Sequence, residues 1–492
     1  MEYLDPKQKR SHEIKLFIGY VLMAILIVFA TIVLGYVAFG FGFDKDTGNV
    51  VQNGLLFVDS HPESSNVIVN GIDKGQTDVR LVVPSGNYEI KLKRDRYREW
   101  NNKLEVAGGE IERVVYPFLF PEKLKYSDAT VLSSKPIFTT QSPDRNWVVI
   151  KYADKLNEFV EFNITRENIE PNVLSISPSI INQSGKNHTF SEIEWANDNR
   201  RILIKHDYEG GSEYIVIDRE KPTESFNLSQ KYPNTMVKEL QLRDKRYDRY
   251  YILNTDGVLL SGEFKKSDLV SVADGVVDFH PHGNDIILYI TSRADQKDKV
   301  NVNIIEKGNK YKLRELPADK KYLMDLAEFD GSWYVVFGAS SEKKVYIYID
   351  PFKDLKDDDT KLPGPNRLLS LDEPIQFLSF SANARFIAVQ NGSNFSLYDA
   401  EKEQSIKYKI DIDLAPEYKA KWMDGHRINL VHNNVTRIFD FDGTNMQKLM
   451  PVYNGLYPLF DRDYNNVYAI TNSVTDKQKS ALVHTPLEAK DQ

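Results

Sequence analysis

The sequence predicts an all-β exterior part behind one N-terminal transmembrane helix, with a small β-sandwich-like module followed by a seven- or eight-bladed β-propeller. Three observations lead to this prediction. Residues 16–43 carry no charged side chain, residues 50–121 alternate short apolar-polar runs with turn residues, and residues 130–487 repeat a turn-and-strand unit. The 27 Tyr and 25 Phe also favour strands, because aromatic side chains fit a pleated, half-buried surface.

The uncharged segment 16–43 is long enough to cross a bilayer, since about 20 apolar residues suffice. Four Lys and Arg residues precede it, whereas Lys45 is the one cation close behind it. This bias predicts a cytoplasmic tail of residues 1–15 and an exterior location for everything after the helix. We therefore expect a single-pass protein of the cell membrane with its C-terminal ectodomain outside.

The exterior part is acidic. Without the four cations and three acids of residues 1–15, 59 Lys and Arg stand against 68 Asp and Glu, a net charge of −9. An acidic ectodomain argues against nucleic acid, or any polyanion, as the main partner. The chain has no cysteine, which excludes disulfides, thiolate nucleophiles and zinc-thiolate sites.

Residues 50–121 are predicted to form a small module of short antiparallel strands. "LLFVDS" and "NVIVNG" read as successive strands, with Asn70 and Gly71 able to supply the positive φ of a tight turn. In "NYEIKL" the apolar side chains alternate with charged ones. Tyr97 and Trp100 would close the core of the module.

This order of residues resembles the PEGA family of small bacterial β domains. The departures are Ser64 and Ser65, where Gly and Ala are usual, and Asp78 in place of a common Pro. The resemblance implies a surface-associated, non-enzymatic domain without catalytic residues. The matching positions are Ser60, Pro62, Glu63, Val67, Val69, Gly71, Gly75, Thr77, Pro84, Ser85, Gly86, Tyr88, Tyr97 and Trp100.

A group of basic residues in this module is a candidate binding surface. One interpretation is contact with lipid headgroups or an anionic wall polymer near the membrane. The other is a solvated strand edge whose charges prevent pairing with other strands. The group consists of Lys91, Lys93, Arg94, Arg96 and Arg98.

From residue 130 to 487 the chain repeats an aromatic residue, a polar turn and an alternating strand, roughly every 35 to 55 residues, which is the size of a propeller blade. Second strand pairs such as "EYIVIDRE" and "NFSLYDAE" complete four strands per unit and favour a β-propeller. We count eight units; seven remain possible if residues 241–257 are an insertion or if "YPFLFPEKL" completes the last blade. The turns resemble those of WD-like propellers in bacterial envelope proteins.

The sequence contains no nucleophile elbow, no zincin motif and no phosphate-binding loop. His280 and His282 flank a proline in what we expect to be an exposed blade turn, and the segment from Asp440 to Asn445 is expected to be a hairpin turn rather than a calcium loop. The acids at 357–359 read as a solvated loop. No catalytic, cofactor-binding or metal-binding residue is predicted.

These observations predict a membrane-anchored envelope protein whose external propeller binds or scaffolds a protein or glycan. Two alternatives stay open: a propeller enzyme whose carboxylates act on a polysaccharide, and a purely structural envelope component. Five aromatic residues near predicted turns are candidates for partner contact or for packing. They are Tyr208, Tyr247, Tyr250, Trp333 and Tyr457.

Overall fold

The computed structural model describes residues 6–38, 40–43, 48–357 and 362–489. Residues 1–5 of the predicted tail and residues 358–359 of the predicted acidic loop lie outside these ranges. The chain divides into two compact units. The first comprises Met1–Lys123 with Glu488–Gln492, and the second, the propeller unit, comprises Leu124–Leu487.

The first unit begins with helix α1 (Pro6–Ala38), whose segment Arg10–Ala38 is long and apolar enough to cross a membrane. By length and composition it is the one such helix in the described part of the chain. The helix ends before residue 43, which corrects the end of the predicted segment. The reason is Gly40, whose φ of +76° favours glycine and turns the chain out of the helix.

Eight strands in two sheets follow the helix, in the orders β1-β2-β5, with β8 also on β2, and β4-β3-β6-β7. Strands β2 and β8 are parallel. Asn70 and Gly71, with φ of +48° and +80°, make the predicted turn between β3 and β4. The strands are β1 (Phe41–Phe43), β2 (Val50–Val58), β3 (Asn66–Val69), β4 (Ile72–Gln76), β5 (Val79–Pro84), β6 (Gly86–Lys93), β7 (Trp100–Val106) and β8 (Ile111–Val114).

The two sheets share one apolar core, so the sandwich-like prediction is confirmed. Leu56 from β2 packs in the same cluster as Ile90 from β6 and Trp100 from β7, and Tyr97 closes it as expected. Strand β6 lies between β3 and β7. Its Lys91 and Lys93 are therefore on an interior strand, and the strand-edge interpretation of these two residues is wrong, because β3 and β7 pair with β6 on its two sides.

The propeller unit contains eight four-stranded sheets, which we number as blades 1 to 8 in chain order. The strands of blades 1 to 4 are β10 (Phe138–Gln141), β11 (Trp147–Lys151), β12 (Glu158–Asn163), β13 (Asn172–Ser175), β14 (Thr189–Trp195), β15 (Arg201–Tyr208), β16 (Gly211–Asp218), β17 (Phe226–Asn227), β18 (Val237–Leu242), β19 (Arg249–Asn254), β20 (Leu259–Glu263), β21 (Val270–Ala273), β22 (Val276–His282), β23 (Ile286–Ser292), β24 (Lys299–Glu306) and β25 (Asn309–Pro317).

The strands of blades 5 to 8 are β26 (Tyr322–Phe329), β27 (Ser332–Ala339), β28 (Lys344–Ile349), β29 (Arg367–Ser370), β30 (Phe377–Phe380), β31 (Phe386–Asn391), β32 (Asn394–Asp399), β33 (Gln404–Lys409), β34 (Lys421–Trp422), β35 (Arg427–His432), β36 (Val435–Asp440), β37 (Gln447–Pro451), β38 (Leu459–Phe460), β39 (Asn466–Asn472) and β40 (Ser480–Pro486). Short helices α2 (Leu228–Lys231) and α3 (Pro351–Asp357) and three 3-10 turns, Pro178–Ile180, Pro222–Glu224 and Arg243–Lys245, lie between strands.

Blade 8 closes the ring, because its outermost strand is β9 (Ser127–Val131), which pairs antiparallel with β40. The closing strand is thus residues 127–131 rather than "YPFLFPEKL". Residues 241–257 belong to blade 3 and are not an insertion. The segment from Asp440 to Asn445 joins β36 to β37, as the hairpin prediction requires.

Apolar side chains of the middle strands fill the space between neighbouring blades. Leu288 and Val302 of blade 4, for example, pack with Val335 and Phe337 of blade 5. The first strand of each blade stands at one end of its sheet, so within the described ranges it pairs with a strand on one side only. The unpaired edge positions the site described next.

An aspartate ends the third strand in several blades and ties it to the residues that precede or begin the second. In blade 2, Asp218 accepts a hydrogen bond of 2.7 Å from Arg200 and lies 3.0 Å from Arg201. In blade 6, Asp399 receives two hydrogen bonds from Arg385, of 2.9 and 2.6 Å. Each clasp fixes the hairpin between two middle strands with charge-assisted bonds.

Candidate binding site in the propeller channel

The first strands of the blades surround a central channel, in which the structure contains two large cavities. One, of about 640 Å³, is lined by residues of blades 1, 2, 7 and 8 and includes Lys421; we call it the lysine cavity. The other, of about 740 Å³, is lined by residues of blades 2 to 5, and we call it the acidic cavity. Both include Glu192 and Ile193, so the two cavities meet at blade 2.

Carboxyl groups of the acidic cavity link neighbouring blades. Glu194 on β14 accepts a hydrogen bond from the backbone N–H of Leu242 in blade 3. Asp325 on β26 accepts one of 3.3 Å from the N–H of Phe380 in blade 6, and its other oxygen lies 3.6 Å from Nε2 of His280. These carboxyl groups therefore hold the ring together and face the channel at the same time.

Enclosure by the strands shifts the pKa of these groups. Burial raises the pKa of Glu194 to about 7, although the Leu242 N–H and the charge of Lys245 oppose the shift. Asp278 on β22 does not line the cavity, but burial, with the nearby charge of Glu239, raises its pKa to about 7 as well. Near neutral pH such carboxyl groups are partly protonated, so they can donate as well as accept hydrogen bonds.

His280 and His282 lie on strand β22 and face the acidic cavity, so the prediction of an exposed turn is wrong. Pro281 between them is tolerated because β22 is the free edge strand of its blade and no N–H is needed there. Burial lowers the pKa of both imidazoles, which favours their neutral forms. Across the described ranges, no group of three or more His, Cys, Asp and Glu is arranged to hold a metal ion.

The lysine cavity contains an ammonium group with spare hydrogen-bonding capacity. Nζ of Lys421 lies 3.9 Å from the centre of the Tyr457 ring, and it has no hydrogen bond or ion pair with any residue that the structure describes. Burial lowers the pKa of Lys421, the charge of Glu192 opposes this, and the charge of Lys419 adds to it. Lys421 is exposed to the cavity, so its three N–H donors are available to a ligand that enters.

Two residues in the lining of the lysine cavity each hold a buried polar atom that has no partner among the described residues. Asn429 is 4% exposed, and its Oδ1 accepts no hydrogen bond from any described residue. Oγ1 of Thr139 is also buried and has no hydrogen-bond partner in the same ranges. Both residues line the lysine cavity, and Asn429 lies directly opposite Lys421 on the paired strand, so the two share a face. A buried polar group without a partner costs about 1–3 kcal/mol.

The structure separates the residues that the sequence singled out. Lys91 and Lys93 lie 3.9 and 2.5 Å from Glu99, and Arg96 lies 3.5 Å from Asp95. Arg94 has its guanidinium 5.7 Å from the centre of the Tyr97 ring, and Arg98 lies two residues before the start of β7. All five basic residues belong to the first unit, and none lines either channel cavity.

The five aromatic candidates have different surroundings. Tyr250 is fully buried, with its hydroxyl 2.6 Å from that of Tyr232. Tyr247 lies under the Arg201 guanidinium, and Tyr208 packs against His206. Trp333 contacts the ring of His282, and only Tyr457 lines a channel cavity.

Sequence reasoning missed Lys421, Asn429, Glu194 and Asp325. A signal was present for Glu194, since "SEIEW" alternates charged with apolar residues, and "KELQL" in the next blade alternates polar with apolar residues in the same way. Alternation of this kind predicts a half-buried strand, but it does not reveal that the polar face points to a channel. Only the closed ring of eight blades shows which face of each first strand lines the channel.

Comparison with known proteins gives one family match and several structural similarities. No curated protein matches the chain. The C-terminal WD40 domain of Sif2 is 8% identical with a TM-score of 0.45, covering 72% of this chain and 99% of that one. The Cps50 (Swd1) propeller from Myceliophteria thermophila is 11% identical with a TM-score of 0.38, covering 67% and 100%.

An oligogalacturonate lyase from Vibrio parahaemolyticus is 9% identical with a TM-score of 0.37, covering 74% of this chain and 97% of that one. The eight four-stranded sheets themselves define the fold of the second unit as a β-propeller. Residues 53–118 match the PEGA domain family. The chain therefore carries a PEGA domain, between a candidate membrane-spanning helix and an eight-bladed β-propeller.

Proposed function

We propose that this chain is a single-pass membrane protein of the cell envelope, with a cytoplasmic N-terminus, whose external propeller binds another envelope component in its channel. The observation that carries the binding role is the lysine cavity itself, where the exposed ammonium group of Lys421 has no carboxylate partner in the described ranges and the lining residues Asn429 and Thr139 each hold a buried oxygen without a described hydrogen bond. A cavity of about 640 Å³ with a few convergent polar groups is typical of a ligand site.

Side-chain recognition suits this cavity better than the addition of a peptide strand. The first strands of blades 7 and 8, β34 and β38, have two residues each, too short to template an added strand. Hydroxyl, amide and ammonium groups beside the Tyr457 ring suit a glycan or the side chains of a protein loop. The orientation of the helix follows from the cations that precede it.

The test is photocrosslinking in intact cells with the full chain. A benzophenone amino acid in place of Tyr457 should capture a specific partner, whereas the same probe in place of Val270, exposed on the outermost strand of blade 3, should not. The substitution Lys421→Gln should remove the capture, because it deletes the free cation. Lys266→Gln, a matched change at an exposed turn, should leave capture intact.

Equal capture from both probe positions, or capture that survives Lys421→Gln, would show that the channel does not carry the binding function. If no position captures a partner that can be saturated, the purely structural alternative is the better one.

A second candidate function is an enzyme acting on a polysaccharide, and one observation favours it. Carboxyl groups with raised pKa, such as Glu194, suit general acid catalysis near neutral pH. Under this alternative, Glu194→Gln or Asp325→Asn abolishes release of reducing ends from envelope polysaccharide. Under the binding function, purified chain releases none, and the variants change nothing in that assay.

A further inference from the structure

The outward face of sheet β5-β2-β8 carries an exposed apolar row. Leu55 on β2 lies directly opposite Val82 on β5 and Ile111 on β8. Their exposed fractions are 37%, 68% and 51%. Opposite residues share one face of a sheet, so the three side chains form a continuous strip across three strands. The inward neighbours, such as Leu56 and Val83, fill the core instead.

A second row beside this strip combines an aromatic ring with two cations. Phe57 lies opposite Arg80 and Arg113, and the guanidinium of each arginine is 5.2 Å from the centre of the ring. In the described ranges, neither arginine has a carboxylate within ion-pair distance. Lys91 and Lys93 on the other sheet, by contrast, both lie near Glu99. We call Leu55, Phe57, Arg80, Val82, Ile111 and Arg113 the outer face.

The outer face lies close to the end of the candidate membrane helix within the same unit. Strand β1 follows the helix after Gly40 and pairs with β2, with Phe41 opposite Gln52. The rings of Tyr36 in the helix and Phe41 are 5.1 Å apart. From Gln52 to Leu55 the strand advances three residues, which corresponds to about 10 Å. The sheet is therefore joined to the helix end by backbone pairing as well as by the chain.

We propose that the outer face rests on the anionic headgroup region of the bilayer that α1 spans. Aliphatic side chains beside arginines are the composition of surfaces that lie in a membrane interface. The guanidinium group is weakly hydrated and binds phosphate in a planar, bidentate manner. Proximity to the helix end keeps the bilayer within reach, whereas any other partner must be recruited. The inference uses the membrane anchor of the proposed function but not its channel.

The absence of cysteine makes a direct test possible with the full chain, because a single introduced cysteine is the sole labelling site. The chain is reconstituted into vesicles with and without an anionic phospholipid, carrying a spin label at Val82→Cys. The control is Ile72→Cys on β4 of the other sheet, with a similar exposed fraction of 60%. Collision rates with oxygen, which concentrates in lipid, and with a water-soluble nickel chelate report the depth of each label.

We expect the label at residue 82 to favour oxygen in anionic vesicles and the label at residue 72 to favour the nickel chelate. Replacing Arg80 and Arg113 by Gln should lower the equilibrium constant between the membrane-contacting and free states of the outer face by about fivefold for each arginine. The double variant in anionic vesicles should then match the parent chain in neutral ones. Because the channel is untouched, crosslinking through position 457 should persist in these variants.

Two results would overturn the proposal. The first is a label at residue 82 that is as accessible to the nickel chelate in anionic vesicles as the label at residue 72. The second is dipolar coupling between residue-82 labels on two chains that is independent of lipid charge, which would identify the outer face as an interface between copies. A failed channel experiment with a buried label at residue 82 would refute the proposed function and leave this inference standing.

Discussion

Removal of the carboxylate charge at Asp218 tests whether the aspartate clasps hold the blades. The side chain of Asp218 is 1% exposed and lies 2.7 and 3.0 Å from Arg200 and Arg201. The substitution Asp218→Asn keeps the shape and one acceptor but deletes the charge. Loss of a partner from a buried pair costs about 3–5 kcal/mol. Since both arginines stay partly hydrated and Arg200 keeps Glu224 at 3.3 Å, we expect about 2–3 kcal/mol.

The control uses the same arginine with an exposed partner. Glu224 is 50% exposed, so Glu224→Gln should cost about 0.5 kcal/mol or less. Urea denaturation of the full chain in detergent, followed by tryptophan fluorescence, gives both values, provided that the slope with denaturant is unchanged. If Asp218→Asn unfolds at the same urea concentration as Glu224→Gln, the clasp does not stabilise the blade and the reasoning fails.

The same pair predicts an acid dependence. Burial alone would raise the pKa of Asp218, but the Arg200 hydrogen bond, the Lys221 N–H and the charge of Arg201 together lower it. A carboxyl group with a lowered pKa stabilises the fold above its unfolded pKa of about 4, and this contribution is lost as the pH falls through the folded value. The stability difference between the parent chain and Asp218→Asn should therefore shrink below about pH 4.

Three further predictions concern single side chains. Burial lowers the pKa of Lys151 to about 8, although the charges of Asp154 and Glu158 oppose the shift. Between pH 8 and about 10.5 the unfolded chain therefore binds more protons at this residue than the folded chain, and the free energy of unfolding should rise with pH. Lys151→Met should remove this rise in urea titrations. The pKa of Glu194 is raised to about 7, so stability should fall as the pH rises from 4.5 to 7, less steeply in Glu194→Gln. Gly392→Ala should lower the melting temperature by several degrees, because φ is +51° and a Cβ would meet the Leu414 carbonyl; an unchanged temperature would contradict this.

The blades were predictable because their signals are local. Each blade alternates apolar residues with a period of two and places turn residues between strands, and both features can be read within about ten residues. Strand β9 could not be predicted from the sequence, because "SDATV" has little apolar alternation. It forms a strand by pairing with β40, which comes from the other end of the unit. Pairing between distant segments leaves no local pattern.

The channel residues were hidden for a related reason. Lys421 on the first strand of blade 7 and Asn429 on the second have ordinary strand contexts, and only the closed ring places both in the lining of one cavity. His280 and His282 were placed in a turn because proline usually ends a strand, whereas a free edge tolerates it. At the helix end, Gly40 breaks an apolar run that composition alone would continue.

The pairing of β9 with β40 means that the chain enters and leaves the propeller at the same blade. A protease that cut one loop between blades 1 and 7 would leave two fragments, each retaining a strand of blade 8 and a segment of the first unit. The hydrogen bonds between β9 and β40 in blade 8 would still join the two fragments, and so would the packing between the two blades on either side of the cut. Such a clipped molecule should travel as one particle on native gels and separate only in denaturant, so the integrity of the propeller does not depend on every peptide bond in the ring.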